Sequence, residues 1–258
     1  MTVVRTDNWI AESQGDPWKV CQYLTQYFPT ASALEIHDHL TMYGMYFSSE
    51  QGKELGKLLN ANHTWEISAK ELERLRSDWN GPSVPVFIFP SDSDNKQLID
   101  EFNGKSGLSY GDKLFLFISP LNTETEIKAL LTHEYNHVCR LNKFLKREKE
   151  YTLLDTIILE GLAEMAVEER FGKISTSIWT SLYSEQQLAK LWKDYVYPNR
   201  NHLKESDTHE EVLYGLGDYP HMAGYCVGYY LVQNFLKDTE LHAGDLLELP
   251  STRIAKLS

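Results

Sequence analysis

The chain has 258 residues and a formal net charge of -12, with 37 acidic against 25 basic side chains. That length buries a sizeable core without a disulfide or metal staple. The acidity comes with no clustered basic footprint, which argues against a nucleic-acid partner and against an anionic membrane surface, and composition assigns no oligomeric state.

The start, "MTVVRTDNWIAESQGDPW", lacks the basic start and the apolar run of a secretory signal. The longest apolar stretch, "MAGYCVGYYLV", is about half of the roughly 20 residues that cross a bilayer. Cys21, Cys139 and Cys226 are odd in number, widely spaced and without a C-x-x-C pair, so they read as reduced core thiols. The expectation is a cytoplasmic protein with no membrane span.

Residues 1–80 read as a helical region. Asp16 before Pro17 opens a helix over "PWKVCQYLTQYF", since Pro suits the first turn and Asp accepts from its free amides. Ser68 with Glu71 forms a capping box ahead of "KELERLRSDW". His37 and His39 in "EIHDHL" point to different faces of a helix and make a poor metal pair. "NGPS" at 80–83 closes the region.

Residues 81–258 read as a second domain. "VPVFIF" (84–89) and "KLFLFI" (113–118) are short, aromatic and β-branched, as strands are, with a short helix "NKQLIDEF" and a glycine-rich approach "NGKSGLSYGD" between them. Thr123 and Glu126 then cap a helix running through "FLK" at 144–146. Further helices follow at about 151–171, around "SEQQLAKLWKDY" and at about 221–237. A polar stretch, "NRNHLKESDTHEE", precedes the last. Strands followed by helices give a mainly helical α+β fold with a small sheet.

The chemistry-bearing pattern lies in "ALLTHEYNHVCR" (129–140), where His133-Glu134-Tyr135-Asn136-His137 fits H-E-x-x-H, which reads as a zinc site on a helix. Residues four apart stack on one helix face, so His133 and His137 can share one ion. With about 100° per residue, His137 falls near 40° from His133 and Glu134 near 100°, within the apolar stripe of Leu130, Ile127 and Val138. A carboxylate in such a stripe is costly unless something pairs with it, and a metal-bound water would do so. Glu134 is then the general base.

A catalytic zinc takes three protein ligands and keeps one position open. In "LLDTIILEGLAEMAVEER" Glu160 and Glu164 stand one turn apart on the face of Leu153 and Ile157, so both carboxylates should approach the interior and need a cation nearby, the alternative being an acidic helix that pairs at the surface with Lys143, Lys146 or Arg147. Glu160 completes the set, and Glu164 accepts from the ring N–H of a histidine ligand and fixes its tautomer. Gly161 is tolerated in a helix where another backbone comes close, expected here to be the histidine helix.

These residues resemble the gluzincin branch of zinc metallopeptidases. "ALLTHEYNHVCRL", "ILEGLAE" and "GYCVGYYLV", in that order, resemble more closely the YjaZ-like family of predicted zinc-dependent proteases, over about residues 80–250. The resemblance implies a thermolysin-like zincin core with His133, His137 and Glu160 around one zinc ion per chain, Glu134 as base, and a sheet whose edge pairs with extended peptide. "LEGLAE" stands in place of the N-E-x-x-S-D form of the thermolysin type. Gluzincins use a tyrosine or histidine for the oxyanion, which implies Tyr225, then His221, in the last helix, where simple close packing of tyrosines is the competing reading. The function implied is a zinc metallopeptidase acting on a peptide or protein substrate. The alternatives are a zinc-stabilised, non-catalytic regulatory or interaction module and a zinc hydrolase of a non-peptide bond.

Overall fold

The computed structural model describes residues 3–257. The chain is mainly helical with one small mixed sheet, as the α+β reading expects, and it divides into two compact units, one ending at Tyr135 and one starting at Asn136.

The first unit runs through α1 (Thr6–Glu12), α2 (Pro17–Leu24), α3 (Ala33–Met42), α4 (Ser49–Ala61), α5 (Thr64–Trp79), β1 (Val86–Pro90), α6 (Lys96–Phe102), β2 (Ser106–Ser109) and β3 (Leu114–Ile118) into α7 (Glu124–Lys143). Asp16 caps α2 as expected, accepting from the Trp18 and Lys19 amides. The expected cap at Ser68 is absent because α5 begins a turn earlier, at Thr64. Trp65 decides this: it is fully buried and its indole Nε1 donates to Thr6 Oγ1 at 3.0 Å, which draws the preceding turn into the helix. Ser68 and Glu71 thus sit inside α5, both buried.

The sheet has the order β1-β3-β2, with β1 parallel and β2 antiparallel to β3. Every residue of β1 and β3 is buried, and Phe87, Phe89, Phe115 and Phe117 join Ile10, Val20, Leu24, Ile36 and Leu40 in one core. Helices cover this parallel pair, which is why both strands read as continuous apolar runs. The third strand, β2, forms from the glycine-rich approach that lacked a strand signature, and its four residues are all half-buried.

The second unit holds the remainder of α7, then α8 (Leu153–Phe171), α9 (Glu185–Leu191), a π-helical turn leading into α10 (Tyr197–Asn199), α11 (Asp207–Tyr214), α12 (Ala223–Lys237) and α13 (Ser251–Ile254). Its core gathers Ile157, Ile158 and Leu162 of α8 with Val227, Leu231 and Val232 of α12 and the nearby Trp179. The close neighbour of Gly161 is α12 and not the histidine helix, since a methyl group at Gly161 would overlap the carbonyl of Gly228. The last long helix begins at Ala223, after Met222 in a left-handed conformation, so His221 precedes it. Among the described residues no helix is long and apolar enough to cross a membrane.

Candidate metal centre

Helix α7 starts as its sequence requires. The Thr123 hydroxyl accepts from the Glu126 amide, and the Thr123 amide donates back to the Glu126 carboxylate at 2.8 Å. Starting the helix there fixes the rotation that sets His133 and His137 one turn apart on one side. Glu160 comes from the middle of α8, which the Thr152 and Asp155 capping box opens.

His133, His137 and Glu160 each present one ligand atom, and these atoms all lie within 4.8 Å of one another. The His137 Nε2 and Glu160 Oε1 atoms are 3.6 Å apart. Two ligands about 2.0–2.1 Å from a tetrahedral ion stand about 3.4 Å from each other, so this spacing is what a shared zinc ion requires. Two imidazoles and one carboxylate are also the donor set of open zinc sites, whereas calcium or magnesium sites are built from oxygen. His137 is buried, and His133 and Glu160 are half-buried.

Glu134 follows His133 and is only 6% exposed. The hydroxyl of Ser109 in β2 lies 2.6 Å from Glu134 Oε2 and 2.9 Å from the Glu134 carbonyl oxygen. Gly107, two residues earlier in β2, faces the same carboxyl group, which occupies the space a side chain at 107 would fill. Neither residue was legible as a site residue in the sequence. The glycine and the small polar residues of "NGKSGLSYGD" were the available signal, since glycine in a strand marks close approach by another group.

Glu164 is buried, and its carboxylate accepts from the Ser177 amide and the Ser177 hydroxyl, each at 2.8 Å. It thereby ties the 3-10 turn Ile178–Ser181 to α8. Tyr225 is half-buried, with its ring edge-on to Trp179 at 5.2 Å and tilted against Tyr214 at 5.5 Å. The His221 side chain is exposed, and its carbonyl accepts from the Tyr183 hydroxyl at 2.9 Å. Tyr229 is buried, and its hydroxyl donates to Glu168 and accepts from Lys173.

Arg140, three residues beyond His137, is another feature that sequence reasoning passed over. Its guanidinium is buried and donates to the carbonyls of Leu246 and Leu249 at 3.1 Å each and to the Ser251 hydroxyl. Burial pulls its pKa down to about 10, against the opposing pull of Asp155 and Tyr151. Ser251 in turn donates to Asp155 at 2.8 Å, so the last segment of the chain is fastened to both α7 and α8.

The family described as "Predicted Zn-dependent protease (DUF2268)" matches residues 64–256. The chain belongs to that family. Across 254 residues it is 37% identical to the uncharacterized protein YjaZ of Bacillus subtilis (strain 168), with 97% of each chain covered. It is also 22% identical, across 227 residues, to the uncharacterized protein YjfC of the same organism, covering 80% of this chain and 74% of that one. No solved structure matches. As a member of this family the chain carries an expectation of zinc dependence, and the trio on α7 and α8 is where its residues fit the ion.

Proposed function

We propose that the protein is a zinc-dependent metallopeptidase of gluzincin type that hydrolyses bonds in peptide or protein substrates. The observation that carries this reading is the convergence of His133, His137 and Glu160 within 4.8 Å of one another, with Glu134 next to His133 on the same helix. The family description, a predicted zinc-dependent protease, supports the zinc and protease parts of this reading. The catalytic and ligand residues all fall within the proposed domain 81–258, and the helical region 1–80 shares one apolar core with the strands of that domain. Buried free thiols at Cys21 and Cys226 favour a reducing compartment, and we place the activity in the cytoplasm.

A zinc ion held by this trio would supply Lewis acidity toward a carbonyl oxygen and lower the pKa of a neighbouring water. The two histidines and Glu160 would hold the ion, the carboxylate offsetting one of its two positive charges. Glu134 takes the proton of the attacking water and returns it to the departing amine. Tyr225, with His221 as the second candidate, donates to the developing oxyanion. Partial burial of the trio keeps competing water low and strengthens each of these interactions.

Elemental analysis combined with a peptide-library digest of wild type and Glu134→Gln tests the reading. We expect one zinc per chain in both proteins and cleavage by wild type alone. A folded, zinc-loaded wild type that cleaves nothing in a broad library refutes the peptidase assignment. It would leave the ion to a zinc-stabilised module or to hydrolysis of another bond.

A further inference from the structure

The reading of Glu134 as general base leaves open what aims its carboxylate, and the first unit contains an answer. We infer that β2 is a seat for Glu134, with Ser109 a positioning residue that holds the base and Gly107 the gap that admits it. This rests on the proposed function.

Residues 107 and 109 are two apart in a strand and therefore face the same side of the sheet. That side meets α7. The Ser109 hydroxyl reaches both the carboxylate and the main-chain carbonyl of Glu134, so a single side chain locates the two ends of the catalytic residue. A carboxylate is planar and rigid, and a partner on Oε2 therefore fixes the direction of Oε1. Gly107 acts by what it lacks: a methyl group there would overlap the Cγ, Cδ and Oε1 atoms of Glu134. Any larger residue at 107 expels the carboxylate from its place.

The register of β2 supplies the rest of the positioning. Gly107 pairs with Leu116 and Ser109 with Leu114, and β3 is buried along its whole length. A slip of one residue would turn both Gly107 and Ser109 to the other face, so the buried strand locks the seat in place. The precision matters because a displacement of about 1 Å at a reacting group costs on the order of 100-fold in rate.

The bland explanation is that Ser109 only satisfies a buried carboxylate, and kinetics separates the two. Zinc-loaded wild type, Ser109→Ala, Ser109→Thr, Gly107→Ala and Glu134→Gln are compared on one cleaved peptide. For Ser109→Ala we expect kcat to fall at least about tenfold, with KM and zinc content within about twofold of wild type. Ser109→Thr, which keeps the hydroxyl, recovers most of the loss, and Gly107→Ala lowers kcat although Ser109 is intact. If Glu134→Gln is inactive while Ser109→Ala turns over like wild type, the seat is refuted and the base reading stands. If Glu134→Gln remains active, the base reading itself fails. A crystal structure of zinc-loaded Ser109→Ala gives a decision without any substrate: a Glu134 carboxylate shifted or spread over several rotamers supports the seat, and one unmoved from its wild-type position overturns it.

Discussion

Gly161 of α8 and Gly228 of α12 lie backbone to backbone. A methyl group on Gly161 would overlap the Gly228 carbonyl and the Tyr229 amide, and one on Gly228 would overlap the Ile157 carbonyl. Two helices meet there with no side chain between them, so the residue beside Gly161, the zinc ligand candidate Glu160, is held by main chain packed on main chain.

Gly161→Ala should therefore destabilise the protein by about 3 kcal/mol or more, above the usual cost of an added core methyl, because backbone atoms cannot rotate out of the way. It should also weaken zinc binding. Urea unfolding with a zinc titration checks both, and a variant as stable as wild type would mean that the helices separate without cost.

Arg140→Ala removes the buried donor that serves the carbonyls of Leu246 and Leu249 and the Ser251 hydroxyl. Leaving such acceptors unpaired costs about 3 kcal/mol. The expected result is earlier proteolysis after residue 240 and reduced zinc retention, read by limited digestion and elemental analysis. An unchanged digestion pattern would show that the final segment is held by its apolar contacts alone.

Glu160→Gln keeps the shape of the third ligand and removes its charge. Zinc affinity should drop by more than the roughly 10–100-fold typical of partners one step removed from an ion. Competition with a chromophoric chelator measures it, and an affinity equal to that of wild type would remove Glu160 from the ligand set.

His209 gives the protein an acid-sensitive element outside the metal centre. It is 1% exposed, and its pKa is lowered, first by burial, which outweighs the hydrogen bond from its ring to the His202 carbonyl, and further by Lys204. The unfolded chain then binds a proton at higher pH than the folded one, near 6.5, so stability rises with pH across this window. The contribution is present above pH 6.5 and is lost as pH falls toward the lowered folded value. Denaturation midpoints of wild type and His209→Gln between pH 7.5 and 5.5 should diverge, with the wild type falling more steeply. Parallel curves would contradict this account.

Much of the candidate site was legible in the chain itself, because its determinants are local. H-E-x-x-H places two imidazoles one turn apart by helix geometry alone, Thr123 and Glu126 start that helix within one turn of sequence, and the stripe of Leu153 and Ile157 shows which way Glu160 faces. The same local rules found the strands of β1 and β3, whose apolar runs reflect burial on both faces.

What only the tertiary structure decided involves pairs far apart in sequence. Trp65 reaches Thr6 and starts α5 a turn before its apparent cap. Gly161 meets Gly228 of α12 instead of the histidine helix. A weakly patterned stretch becomes β2 because β3 offers it backbone partners, and Ser109 there finds Glu134 25 residues later. Sequence periodicity fixes which side of a helix is apolar, since that depends on neighbours three or four residues away. Which surface fills that side depends on packing summed over the whole chain, and there the choice falls to the partner whose shape leaves no overlap and whose polar groups meet most of the buried ones.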